Sequence, residues 1–177
     1  MATEEEEQQI KLWLQLAHEA YGDKQVVRAL HYLHRALEYA GERGQTTEVG
    51  LVCRDLGYVY AREGSSDQAL AYLNQGLSIP GLDLAVQTGL MANKASVLAR
   101  QGAYRSALTL LEESSDLIQS RYRDFSRAPS HFIHSYAAIV RMADDLRKVI
   151  ELLDMGVRAE RIQVEIKRHH PPWLSGK

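Results

Sequence analysis

The side chains that could do catalytic or metal chemistry are few, and the clearest are two pairs of histidines. His131 and His134 are three residues apart, so on a helix both imidazoles could supply a nitrogen to one metal ion. A metal site needs three or four ligands with supporting hydrogen bonds, so we interpret this pair as polar residues of a binding groove and predict no metal. His169 and His170 precede two prolines, where histidine suits the negative end of a helix dipole.

No arrangement of residues typical of an enzyme is present in the sequence. It contains no phosphate-binding glycine loop, no Gly-x-Ser-x-Gly nucleophile turn and no His-Glu-x-x-His pair. Its single cysteine, Cys53, cannot form an internal disulfide, which indicates a reducing, cytoplasmic location. We interpret Cys53 as a small buried hydrophobic residue, because it stands at a core position of the helical pattern. We therefore predict a protein that is not an enzyme and uses no cofactor.

A set of arginines is better suited to binding than to catalysis. It comprises Arg54, Arg62, Arg100 and Arg141. A guanidinium can hold a carboxylate through two parallel hydrogen bonds, and Tyr21 and Tyr58 could add aromatic faces with polar tips. The formal charge of the whole chain is only −2, which gives no overall attraction to nucleic acid or to an anionic membrane. Any binding of acidic ligands must therefore depend on local charge.

These residues must be positioned by helices, because apolar residues recur with a helical period and strand-like alternation is absent. The sequence predicts eight helices in four pairs: 4–22 with 24–40, 47–63 with 67–79, 84–101 with 104–122, and 130–143 with 145–167. Gly44 is predicted to take a left-handed turn between the first two pairs, since it has no Cβ. No apolar run approaches membrane-spanning length, and the first residues lack the features of a secretion signal.

One pattern of large and small residues repeats in the four pairs. The second pair has it most fully, as Cys53-x2-Leu56-Gly57-x2-Tyr60, then Ala69-x3-Leu73 and Pro80. This pattern resembles the tetratricopeptide repeat. The lead residues are Trp13, Cys53, Met91 and Ile133, giving steps of 40, 38 and 42 residues. These repeats are longer than the family's usual repeat of about 34 residues.

The resemblance implies an all-α fold, an α-α superhelix (right-handed solenoid) of four tetratricopeptide-like helix pairs. We predict a single domain over residues 1–177, with repeats at 4–44, 45–82, 83–123 and 130–168, a long C-terminal capping helix and a tail at 169–177. Small residues such as Gly57 and Ala69 would let paired helices approach closely. Such solenoids present concave surfaces for binding, and few are enzymes.

In the family, the first helix of each pair lines the concave face with residues beside its core stripe. The twenty matching positions contain five Lys or Arg and three His, but no Asp or Glu. The predicted groove residues among them are Lys11, His18, Tyr21, Arg54, Tyr58, Arg62, Ser96, Arg100, His134 and Arg141. A concavity lined by one sign of charge focuses its potential, so the predicted ligand is acidic. The third repeat is small at Gly89, Ala92, Ser96 and Ala99, which predicts a recess for that ligand.

We predict a non-catalytic interaction module or scaffold that holds an acidic peptide segment of another protein in this basic concave groove. One alternative is a peptide or small-acid sensor or regulatory domain whose binding changes the superhelical pitch. Another is a self-assembling scaffold, a homo-oligomer in which an end of one copy enters a neighbour. The charge bias could also be a solvated face with no dedicated ligand. Nucleic acid and membrane are not predicted partners.

Overall fold

The structure, a computed structural model, describes residues 4–123 and 128–154 of the chain. The described part consists of helices without any strand, which confirms the predicted all-α class. The helices are α1 (Glu4–Gly22), α2 (Val26–Glu42), α3 (Thr46–Arg62), α4 (Ser66–Leu77), α5 (Leu84–Arg100), α6 (Tyr104–Arg121) and α7 (Ser130–Asp154). The chain divides into two compact units, and the division falls within α5, between Leu90 and Met91.

The first six helices begin and end within two residues of their predicted bounds. The fourth predicted pair is different, because α7 continues through the break expected near residue 144. The segment Ala143-Asp144-Asp145 has no glycine or proline to end a helix, and Asp144 accepts a hydrogen bond from Arg147 at 2.7 Å. Burial of Met142, Ala143, Leu146 and Val149 keeps one face of α7 in the core across the expected break. The rest of that pair, 155–167, and the tail 169–177 lie outside the described residues.

Four of the turns between helices share one hydrogen-bonding pattern. In each, an amide donates to the carbonyl five residues earlier: Gln25 to Ala20, Gln45 to Ala40, Ser65 to Tyr60 and Ala103 to Leu98, at 2.8 to 3.0 Å. This closure requires a positive φ at the residue before the donor, and these residues are Lys24, Gly44, Gly64 and Gly102. The prediction for Gly44 is confirmed. Since the donor is also the N-cap of the next helix, these turns join consecutive helices without a longer linker.

The core of the first unit forms where α1, α2 and α3 meet. Its buried residues are Ile10, Ala17, Leu33, Ala36, Ala40, Val52, Leu56 and Val59. Helix α4 packs on α3 at Gly57, where an added Cβ would lie 2.5 Å from Cγ of Leu73. A second close approach joins α4 to α5, since a Cβ on Gly76 would lie 2.8 Å from Cδ2 of Leu90. Gly57 and Gly76 therefore lie where neighbouring helices approach too closely for a side chain.

The second unit has a separate core, formed by the end of α5 together with α6 and α7. Its buried residues are Ala95, Ala99, Ala107, Leu111, Ile118, Ile139, Met142, Ala143 and Leu146. At the surface, Arg105 donates to both carboxylate oxygens of Asp154 at 2.7 and 2.9 Å. Arg147 donates to Glu112 at 2.8 Å. These ion pairs are exposed, so apolar packing is the main contact between α6 and α7.

Replacing Gly57 by alanine tests the contact between α3 and α4. Alanine favours a helix by roughly 1 kcal/mol over glycine, but overpacking a core typically costs about 1–3 kcal/mol. We expect overpacking to prevail, because the new Cβ would lie 2.5 Å from Cγ of the buried Leu73. The matched control is Gly41→Ala in α2, where nothing lies within 4 Å of the added Cβ and stability should rise. Equal stabilisation of both variants in urea unfolding would contradict the contact.

Lys24 is strained in a way that its three counterparts are not. It takes a φ of 62°, where the other three turns have glycine. Since the left-handed region costs a residue with a Cβ about 1–2 kcal/mol, we expect Lys24→Gly to raise the free energy of unfolding by about 1 kcal/mol. The reverse change, Gly44→Lys, should lower it by a similar amount, because the space around Gly44 is open and only conformation changes. Thermal unfolding of both variants measures this, and a loss of stability in Lys24→Gly would refute the strain.

Candidate functional site

Six of the ten predicted groove residues lie on α1 and α3 of the first unit, and we call their surface the α1–α3 face. They are Lys11, His18, Tyr21, Arg54, Tyr58 and Arg62. On α3, Arg54, Tyr58 and Arg62 are four residues apart, so they follow one side of the helix over about 12 Å. Tyr58 is 46% exposed. The face therefore presents an accessible ring with an arginine on each side along α3.

Asp55 is the central charged group of the α1–α3 face, and it is buried to 8% exposure. Its Oδ2 lies 2.9 Å from Nε2 of His18 on α1. Its Oδ1 accepts a hydrogen bond from Nε of Arg54 at 3.0 Å and lies 2.9 Å from Nη2 of the same guanidinium. A buried carboxylate is costly unless it is paired, so these contacts both satisfy Asp55 and join α1 to α3. They also fix the orientation of two predicted binding residues.

A second group of contacts lies around Tyr21, towards the end of α1. The rings of Tyr21 and Tyr58 meet edge to face, with centroids 6.0 Å apart. The Tyr21 hydroxyl donates a hydrogen bond to Oε1 of Glu63 at 3.4 Å. Burial raises the pKa of Tyr21, while its hydrogen bond with Arg62 acts in the opposite direction. The hydroxyl therefore stays protonated at neutral pH, and two aromatic rings and a guanidinium lie side by side.

Two histidines of the first unit have pKa values shifted in opposite directions. The pKa of His18 is raised above its ordinary value of 6.5, chiefly by the hydrogen bond with Asp55, although partial burial and Arg54 oppose this. In contrast, burial and then the charge of His31 lower the pKa of His34. The partner of His34 is a neutral hydroxyl rather than a carboxylate, since its Nε2 atom lies 3.0 Å from the Tyr60 hydroxyl. Of the two, His18 is therefore the better placed to become a cation on mild acidification.

The α1–α3 face is less basic than its predicted groove positions indicate. The groove positions contain no acid, but Asp55 directly follows Arg54 and Glu63 directly follows Arg62. Both acids form hydrogen bonds with side chains of the face. The α1–α3 face therefore has three permanent cations and two carboxylates, so its basic character is partly compensated. Sequence reasoning missed Asp55 because it assigned that position to neither the groove nor the core. The available signal was an acid between Cys53 and Leu56, two core positions, where an unpaired carboxylate would be unstable.

The recess predicted at the small residues of α5 is wrong at two of its positions. A Cβ on Gly89 would lie 3.0 Å from Cδ of Arg54, so the arginine side chain already occupies that space. Ala99 is 1% exposed and belongs to the core of the second unit. The physical reason is that a small residue on a packed helix is filled first by its own neighbours.

The other four predicted groove residues belong to the second unit. Ser96 and Arg100 are half-buried on α5, and His134 and Arg141 are exposed on α7. The Nδ1 atom of His134 bonds to the carbonyl of Ser130 at 2.7 Å, so this nitrogen carries the proton and is not available to a metal. The side chain of His131 lies outside the described residues. A binding role for these four residues stays a prediction.

Reactive and metal-binding groups also bear on function. Cys53 is buried, which confirms its interpretation as a core residue, and burial raises the pKa of its thiol to about 11. Across residues 4–123 and 128–154, no three His, Cys, Asp or Glu side chains lie close enough to hold a metal ion. None of the helices in this part of the chain combines the length and the apolar composition needed to cross a bilayer.

Comparison of the chain with family models, curated proteins and solved structures found no match in any of the three.

The contact between His18 and Asp55 predicts a specific pH dependence. Because the folded-state pKa of His18 is raised, its contribution to stability is full below about pH 6.5 and is lost as pH rises through the folded-state value. Wild type should therefore exceed His18→Gln in free energy of unfolding by more at about pH 5.5 than at about pH 8. In NMR titrations, Asp55→Asn should lower the pKa of His18 and leave that of His34 unchanged. An unchanged His18 pKa in Asp55→Asn would disprove the coupling.

Proposed function

We propose that this protein is a non-catalytic interaction module, an α-α superhelix of tetratricopeptide-like helix pairs, which holds an acidic peptide segment of another protein on its α1–α3 face. Contacts in the first unit support the repeat architecture, since first helices of successive pairs are neighbours. His18 of α1 meets Asp55 of α3, and Arg54 of α3 meets Gly89 of α5. Stacked repeats require such contacts between equivalent helices. The buried single thiol of Cys53 is consistent with a cytoplasmic location.

The observation that carries the proposal is the exposed Tyr58 ring, with Arg54 and Arg62 one helical turn away on either side. Tyrosine and arginine are both enriched among the residues that dominate protein interfaces, and here Tyr58 is exposed while the two arginines are half-buried. The ring can accept an apolar side chain, and a guanidinium can hold a carboxylate through two hydrogen bonds, although Nε and Nη2 of Arg54 already contact Asp55. This arrangement fits a peptide in which acidic residues flank an apolar one.

Asp55 favours such binding by ordering the face before a ligand arrives. Two contacts with the buried carboxylate hold Arg54, so less side-chain entropy remains to be lost when a peptide binds. The same contacts compensate part of the Arg54 charge, which makes Arg62 the more informative arginine to reverse. Arg54→Glu would place a second carboxylate against Asp55 and disturb folding as well as binding.

We expect the double variant Tyr58→Ala with Arg62→Glu to bind a glutamate-rich peptide at least about tenfold more weakly than wild type, because it removes the ring and reverses one charge. Fluorescence anisotropy with a labelled peptide whose glutamates flank one leucine measures this. A glutamine-substituted peptide of the same length is the ligand control. Binding of the glutamate peptide should weaken as salt rises, since ionic contacts at exposed groups are screened over about 8 Å at physiological ionic strength.

Arg28→Glu is the matched protein control, because it makes the same charge reversal at an exposed residue of α2 in the same unit. It should bind like wild type, and circular dichroism should show all variants equally helical. If Arg28→Glu weakened peptide binding as much as the double variant does, the loss would be an effect of net charge alone. Equal binding of the glutamate and glutamine peptides would refute recognition of an acidic ligand. Free glutamate that competes as well as the peptide would indicate a small-acid sensor instead.

A further inference from the structure

The hydrogen bond between His18 and Asp55 determines which ring nitrogen of His18 carries a proton. Asp55 already accepts from the Arg54 guanidinium through its other oxygen, so its carboxylate acts as an acceptor and Nε2 of His18 must donate. The neutral ring therefore has its lone pair on Nδ1. Among the described residues, no hydrogen bond to Nδ1 is found, and the His18 side chain is 65% exposed. A hydrogen-bonding position on the ring thus remains accessible on the α1–α3 face.

Protonation changes the character of that exposed position. In the neutral ring Nδ1 is an acceptor, which cannot bond to an ionised carboxylate, since both groups only accept. In the protonated ring Nδ1 becomes a donor with a positive charge, and a charge-assisted bond to a carboxylate becomes possible. The bond from Nε2 to Asp55 is present in both forms, so the ring does not need to move. Mild acidification therefore changes the ligand chemistry of the face without repacking the helices.

We propose that His18 switches the α1–α3 face between a form that binds carboxylates tightly, with the imidazole protonated, and a form that binds them weakly, with the imidazole neutral. This inference rests on the proposed function and adds its regulation. The face would hold its acidic peptide more firmly as pH falls from slightly alkaline to slightly acidic. The peptide carboxylates themselves stay ionised in this range, because their pKa values lie near 4.

The charged groups around His18 support a response in this range of pH. Helix α3 presents Asp55, which favours the protonated ring, and Arg54, which opposes it. On α1 itself, Glu19 is the neighbouring acid and its carboxylate accepts a hydrogen bond from Gln15 at 2.8 Å. The raised pKa of His18 is the net result of its hydrogen bond with Asp55 and the charge of that carboxylate, which raise it, and of partial burial and Arg54, which lower it. Binding and protonation must also be reciprocal, so a bound peptide raises the pKa of His18 further.

The test measures binding of the labelled glutamate-rich peptide at constant ionic strength, at about pH 5.5 and about pH 8, for wild type and His18→Gln. Wild type should bind about three- to fivefold more weakly at the higher pH, the range expected for one exposed charged contact. His18→Gln should show little of this change, because glutamine can still donate to Asp55 but does not titrate. His18→Lys keeps a positive charge at both values and should bind tightly at both.

Each outcome bears on the switch. Loss of pH dependence in His18→Gln together with tight binding by His18→Lys at both values supports it. Wild-type binding that is independent of pH, or the same pH dependence in His18→Gln, overturns the switch and leaves the proposed function intact. If wild type binds the peptide at neither pH, both the switch and the proposed function are overturned. An NMR titration of wild type with and without peptide gives an independent check, since a His18 pKa that does not rise on binding contradicts the coupling.

Discussion

The buried carboxylate of Asp55 is the interaction on which the first unit and its candidate site both depend. It lies on α3 among core residues, so it is stable only if cations or donors reach it from its surroundings. His18 supplies such a group from α1, and Arg54 supplies one from α3 itself. These bonds fix the approach of two first helices, order two side chains of the face and set the protonation behaviour of His18. One requirement for pairing thus connects the packing of α1 on α3, the charge of the α1–α3 face and the raised pKa of His18.

The fold around this carboxylate follows from two simple constraints. The helices of the first unit approach closely where glycine leaves room, as at Gly57 against Leu73 and at Gly76 against Leu90. The turns close through one repeated hydrogen-bonding pattern, which requires a positive φ at one residue. Three turns meet that requirement with glycine, while Lys24 meets it with strain. Both constraints fall on buried contacts and turn residues rather than on the exposed positions of α1 and α3.

Much of this could be predicted, because it depends on neighbours in sequence. Helical periodicity, small residues at repeated positions and turn glycines located the first six helices within two residues of their bounds. The burial of Cys53 and the turn at Gly44 followed from the same local patterns. The break expected near residue 144 was wrong, because the repeat pattern suggested a pair where no local residue ends a helix. Helix continuity there depended on burial along one face of α7.

The sequence by itself determined the helical class, the bounds of the first six helices to within two residues and the presence of Arg54, Tyr58 and Arg62 on one side of a helix, since all of these follow from helical geometry and local chemistry. Tertiary structure decided what those side chains meet. Asp55 lies 37 positions from His18 in the chain, and Gly89 faces Arg54 across helices, so neither contact is visible in any local pattern. The charge and the free space of a binding face depend on such distant neighbours, because electrostatic pairing and packing act through space.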